Sequence, residues 1–197
     1  MVSVRAFIAI ELDAWLCDAL NGAMRAMRAA NPPVKVKWVR PEQQHLTLHF
    51  FGEIHARHAS DSNGALQRAA ARAAPFEIEP AELGCFPNIY KPNVLWVGIH
   101  EPSHALAGLH RKIEAELAAL GFDSEARAFT PHLTLARVPH NAASADRKAL
   151  GDWFVRQAPP ARVTQRVGEI KLMRSDVFPE GHRYTEVGRA PFSSENV

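Results

Sequence analysis

The tetrapeptide His-Leu-Thr-Leu occurs twice, at His45–Leu48 and again at His132–Leu135. A strand sends successive side chains to opposite faces, so His and Thr two apart share one face while both leucines point to the other. Each copy therefore presents one titratable imidazole and one hydroxyl above an apolar back. Two such strands can bring two imidazoles to one cleft, and this constrains the fold more than any other feature of the chain.

The stretches before the motifs also repeat in order. A β-branched and aromatic run, Arg5–Ile10, precedes a helical pattern of Leu12, Leu16, Leu20, Ala23 and Met27 that Asp13 can cap, and then comes His45. Val94–Ile99 precedes a second helical pattern, opened by Pro102 and ended by Gly121, with Leu106, Leu109, Ile113 and Leu117 on its apolar face. His132 follows. Matched order and spacing predict two related lobes with the motifs facing each other across a pseudo-two-fold axis. Between these units the pattern predicts a short edge strand over 34–39 and a His45 strand reaching Phe51 and closed by Gly52. It also predicts a helix over 56–74, a strand over 76–83 and a loop over 84–93. After the second motif come a helix over 142–157 and strands over 163–173 and 184–187, with a turn at 178–181.

With 197 residues, 47% hydrophobic and 22% charged, the chain suits one globular folding unit. No apolar run approaches the roughly 20 residues of a membrane span. The N-terminus lacks the long apolar region of a signal peptide, and Cys17 and Cys85 have no paired spacing. A cytoplasmic monomer is expected. The net charge of +2 permits an anionic ligand and argues for a short nucleic-acid footprint.

Two imidazoles suit phosphoryl chemistry. One, neutral, takes a proton from water while the other, protonated, gives one to the departing oxygen on the opposite side of phosphorus. Thr47 and Thr134 can donate to the non-bridging oxygens. Arg137 follows the second motif and suits an anion, but strict alternation turns it away from His132. It joins the site only if the strand bends or the side chain reaches round the strand end. Lys35, Lys37 and Arg40, with Trp38 among them, precede the first motif and could screen phosphates of a ligand while the indole stacks on it; the alternative is a solvated edge with one buried tryptophan. His49 shares the face of His45 by alternation, where it could tune the His45 pKa or touch substrate, and is expected simply at the strand's exposed end. A metal hydrolase is disfavoured because there is no His-Glu-x-x-His motif and no cysteine cluster.

Together these segments resemble the 2H phosphoesterase superfamily, with its paired His-x-Thr-x motifs, and within it the LigT-like RNA 2′,3′-cyclic phosphodiesterases once named 2′-5′ RNA ligases. The resemblance covers nearly the whole chain. It rests on Arg5–Ile10, Lys37-Trp38-Val39, His45–Gly52, Gly84-Cys85-Phe86-Pro87, Val94–Gly98, Phe129–Arg137 and a closing Ser175, Gly181 and Tyr184. A lysine is the commoner residue at the position of His49. The resemblance implies a bilobal α+β fold of mainly antiparallel sheet flanked by helices, with the cleft between lobes, one domain over 1–190 and a tail over 191–197. It implies hydrolysis of a terminal 2′,3′-cyclic phosphate of RNA, or of a small cyclic nucleotide, to a 2′-phosphate without metal or cofactor. His45 would be the proton donor, His132 the proton acceptor, and Thr47, Thr134 and Arg137 substrate-binding residues. The alternatives are ATP-independent reversible 2′-5′ RNA ligation and a non-catalytic nucleotide- or RNA-binding module.

Overall fold

The computed structural model describes residues 3–123, 128–179 and 181–193. In chain order these form β1 (Ser3–Glu11), α1 (Ala14–Ala29), β2 (Lys37–Trp38), a 3-10 turn (Pro41–Gln43), β3 (His45–His55) and α2 (Ala56–Ala70). Then come β4 (Phe76–Phe86), β5 (Val94–His100), α3 (Ala105–Ala118), β6 (His132–Arg137), α4 (Ser144–Phe154), β7 (Gln165–Val167), β8 (Glu169–Phe178) and β9 (Gly181–Pro191). The strands form two antiparallel sheets, ordered β3-β1-β8-β9 and β2-β6-β5-β4-β7. The architecture is α+β, as expected.

The repeated units are visible in the pairing. β1 lies antiparallel to β3 with Glu11 opposite His45, and β5 lies antiparallel to β6 with Gly98 opposite His132. β8 flanks β1 as β4 flanks β5, so three strands of each sheet correspond. The helices tie the halves together. Arg28 of α1 lies over the Trp38 ring of the second sheet, whereas α3 packs against β3 of the first sheet and against α2. One continuous apolar core results. Asp13 caps α1 by accepting from the Leu16 N–H at 2.8 Å. Buried Gln165 of β7 accepts from the Asp13 N–H at 3.0 Å and donates to the Glu11 carbonyl at 2.8 Å, joining the second sheet to the end of β1.

Several boundaries differ from the pattern reading. Of the expected 34–39 strand, Lys37 and Trp38 pair in the sheet and the Val39 N–H donates to the Leu135 carbonyl at 2.9 Å; residues 34–36 find no strand partner among the described residues because β6 ends at Arg137. β3 does not close at Gly52. It continues to His55, and Gly52, with φ of 69°, sits where the pairing skips Phe51. β4 runs on to Phe86, through Gly84, where the Trp96 ring lies 2.3 Å from where a Cβ would stand. The expected 163–173 strand breaks at Gly168 into β7, which pairs with β4, and β8, which pairs with β1 and β9. α2 stops at Ala70, α3 starts at Ala105 after His104, and α4 is shorter at both ends than 142–157. β9 extends well beyond 184–187. Pro191 belongs to it and Phe192 packs on Phe76 at 5.9 Å; residues 194–197 lie outside those described. Among the described residues, no helix is long and apolar enough to cross a membrane.

Gln165→Ala removes the partners of the Glu11 carbonyl and of the Asp13 N–H at the start of α1 at once. Urea unfolding of this variant is expected to show a loss of about 2 kcal/mol, whereas an effect within about 0.5 kcal/mol would show that the tie between the sheets contributes nothing.

Candidate active site

The two histidine strands carry the same irregularity. Along β1 and β3, Ala9 pairs with Thr47 but Ile8 pairs with His49, so Leu48 is an extra residue. Along β5 and β6, Trp96 pairs with Thr134 but Leu95 pairs with Ala136, so Leu135 is extra. A β-bulge of this kind places two consecutive residues on one side and resets the alternation beyond them. Leu48 and His49 are accordingly both buried, as are Leu135 and Ala136. The reset returns Arg137 to the face of His132 and Thr134, where it is exposed. It also returns Phe50, five residues after His45, to the matching position in the other half.

β3 and β6 lie beside each other, so the two motifs meet. The Nδ1–H of His45 donates to the Gln43 carbonyl at 2.9 Å, and that of His132 donates to the Thr130 carbonyl at 2.7 Å. A carbonyl can only accept, so Nδ1 carries the proton in both rings. In the neutral form each Nε2 keeps its lone pair for chemistry. Aromatic rings hold both. Phe7 and Tyr184 stand 4.6 and 5.2 Å from His45, and Phe86 and Trp96 stand 4.8 and 6.0 Å from His132. Burial lowers the His45 pKa to about 4; the Gln43 carbonyl opposes this, and the charges of Arg137 and His132 add to it. At neutral pH these surroundings therefore hold His45 uncharged. A cavity of about 130 Å³ opens beside His45, lined also by Tyr184, Phe7, Met173, Gln44 and Lys171. A larger groove of about 550 Å³, running along Ala73–Glu77 and Pro102–Gly108, has no histidine in its walls.

With this geometry established, sequence comparison decides the family. The profile of the 2′-5′ RNA ligase superfamily matches residues 17–177. The chain belongs to this superfamily. A relative from Methanothermobacter thermautotrophicus, named RNA 2′,3′-cyclic phosphodiesterase, is 32% identical over 188 residues, covering 94% of this chain and 97% of its own. The crystal structure of TT0787 of Thermus thermophilus superposes with a TM-score of 0.75 at 28% identity, over 98% of this chain and 100% of that one. E. coli LigT complexed with NADP+ gives a TM-score of 0.73 at 25% identity, over 97% and 99%.

Within this superfamily fold the charges of His132 and Arg137 reach His45, and Thr47 and Thr134 lie on their strands two residues beyond His45 and His132, on the same face. His49 does not join them, which corrects the alternation reading. The Leu48 bulge turns it inward, where it is 3% exposed and its Nδ1–H donates to Glu114 Oε1 of α3 at 2.6 Å. Trp38 is half-buried beneath Arg28, Arg40 is paired with Glu42 at 3.1 Å, and Lys35 is exposed. Pattern reasoning gave no role to Phe7, Phe86, Trp96 and Tyr184, the rings that hold the two imidazoles. Glycine in a strand, as at Gly84, signals close approach and was the available clue to Trp96. Among the described residues, no three His, Cys, Asp or Glu side chains are grouped to hold a metal ion.

Because the Arg137 charge lowers the His45 pKa, Arg137→Ala should raise it. NMR titration of the His45 ring in the free protein is expected to show a midpoint near 4 in the parent and a higher one in the variant. An unchanged midpoint would place Arg137 outside the electrostatic reach of His45.

Proposed function

We propose that this protein hydrolyses the terminal 2′,3′-cyclic phosphodiester of RNA or short oligonucleotides to a 2′-phosphomonoester, with His45 and His132 as a metal-independent acid/base pair. The observation that carries this reading is the mirrored pair of imidazoles, each held through Nδ1 by the carbonyl two residues before it and each beside a threonine of the same face. The M. thermautotrophicus relative, named for this activity, supports the same substrate class.

In this reading His132 Nε2 takes a proton from water as the water oxygen attacks phosphorus. The bond from phosphorus to the 3′ oxygen breaks, and His45 Nε2–H gives its proton to that oxygen. Water is consumed, a 2′-phosphate and a 3′-hydroxyl are formed, and the two histidines exchange protons with solvent before the next turnover. Thr47 and Thr134 donate to the non-bridging oxygens, and Arg137 neutralises the charge that grows there. His45 must be protonated to act as the acid, although burial and the charges of Arg137 and His132 hold its pKa near 4. The bound phosphate supplies the cause: its negative charge offsets Arg137 and stabilises an imidazolium already held by the Gln43 carbonyl. With the 3′ oxygen at His45, the ribose lies on the side of Phe7, Tyr184 and the 130 Å³ cavity.

Hydrolysis of adenosine 2′,3′-cyclic phosphate tests this directly. His45→Ala and His132→Ala should each lower kcat by about 10²-fold or more, and EDTA should leave the parent rate unchanged. Loss of activity in EDTA refutes the metal-free mechanism, and a 3′-phosphate product refutes the role of His45 at the 3′ oxygen.

A further inference from the structure

Beyond the paired imidazoles, the cleft face of the first sheet continues to a second group of polar and cationic side chains. His182 lies at the start of β9, two residues before Tyr184, and its ring contacts that of Tyr184 at 6.4 Å, as Tyr184 contacts His45 at 5.2 Å. Ser175 of β8 is hydrogen-bonded to His182 Nδ1 at 3.1 Å. Arg5 of β1 holds its guanidinium 4.9 Å over the Phe50 ring. Lys37 of β2 stands directly opposite Arg137 of β6. Among the described residues, neither Arg5, Lys37 nor Arg137 forms an ion pair with a carboxylate. Burial, followed by the charges of Arg5, Lys37 and Arg137, holds His182 below the usual histidine range, so all three cations act on one point.

The pseudo-symmetry gives Arg5 its meaning. Phe50 occupies the place in the first half that Arg137 occupies in the second, and Arg5 stacks on Phe50. A guanidinium thus stands on each side of the pseudo-axis, although the two come from unrelated positions in the chain. Stacking fixes the plane of the Arg5 fork and leaves its N–H edge available to an anion. Cations from both sheets, none ion-paired among the described residues although Glu53 of β3 stands opposite Arg5, and next to a hydroxyl and an imidazole, suit a phosphate.

We propose that Arg5, Lys37 and His182, with the Ser175 hydroxyl, bind the phosphodiester that joins the cyclic-phosphate nucleotide to its 5′ neighbour, so that the preferred substrate is an RNA end rather than a free mononucleotide. This rests on the reading of His45 and His132 as the hydrolytic pair. The two ring contacts through Tyr184 place His182 within the reach of one nucleotide unit of His45. A charged diester at this point gives the chain a backbone contact without reading the base, in keeping with a short footprint.

The test compares three probes with the full-length protein: adenosine 2′,3′-cyclic phosphate, the dinucleotide ApA carrying the same cyclic end, and that dinucleotide with an uncharged methylphosphonate linkage. The parent is expected to favour the dinucleotide over the mononucleotide by about tenfold in kcat/KM, with the preference lost for the methylphosphonate. Arg5→Ala and Lys37→Ala should each reduce the dinucleotide advantage, changing mononucleotide turnover by less than about twofold; that turnover also reports that the variants are folded. Arg5→Lys should recover part of the advantage. Equal use of all three probes by the parent overturns the proposal, as does an equal loss on mononucleotide and dinucleotide in Arg5→Ala. In those cases continued mononucleotide turnover leaves the hydrolytic reading standing. If the parent turns over none of the probes, that reading fails and the subsite falls with it.

Discussion

Backbone pairing skips one residue three positions after each histidine, and the cleft depends on that skip. Without the bulge at Leu135, alternation would send Arg137 to the apolar side of β6 and leave no guanidinium beside His132 and Thr134. Without the bulge at Leu48, His49 would stand in the cleft and Phe50 would turn away from Arg5. The side chains that follow each motif therefore owe their direction to a backbone irregularity shared by both halves.

The inward turn of His49 links the two motifs behind the cleft. Its ring is bonded to Glu114 of α3, His110 lies 3.8 Å from the same carboxylate, and the His110 ring stacks on Phe129 at 3.9 Å. Phe129 directly precedes Thr130, whose carbonyl holds His132. The back of the first histidine strand is thus connected through one helix to the approach of the second. Such packing fixes the relation between imidazoles that belong to different sheets.

The paired motifs, the strand-helix-strand order before each and the α+β class were all legible in the chain, because they follow from local alternation and helical spacing. The bulges were not. Leu48 and Leu135 are ordinary strand residues, and the skip is decided by register against β1 and β5, which lie far away in sequence. The same holds for the break at Gly168, where the short β7 and the long β8 choose different sheets. His182 and Arg5 share a cleft only because β1 and β9 both flank β8, an order that no short-range pattern encodes. The reading of Arg137 as dependent on a bend in the strand identified the right difficulty, and the bulge is the physical form of that bend.

A symmetric frame supplies two equivalent imidazoles, whereas the proposed reaction needs one acid and one base. The difference must come from what surrounds them. His45 lies in an apolar setting of Phe7 and Tyr184 beside an open cavity. Lys171 lines that cavity, its charge retained despite burial by hydrogen bonds to Glu11 and Glu186. Arg137 repels a proton from His45. Burial and the neighbouring charges therefore disfavour an imidazolium at His45, and an anion between the halves would shift the balance the other way. On this account protonation of His45 is tied to occupancy of the cleft: the phosphate that is to be opened also establishes the acid that opens it, and the asymmetry of the chemistry arises from the substrate acting on unequal surroundings rather than from the motifs themselves.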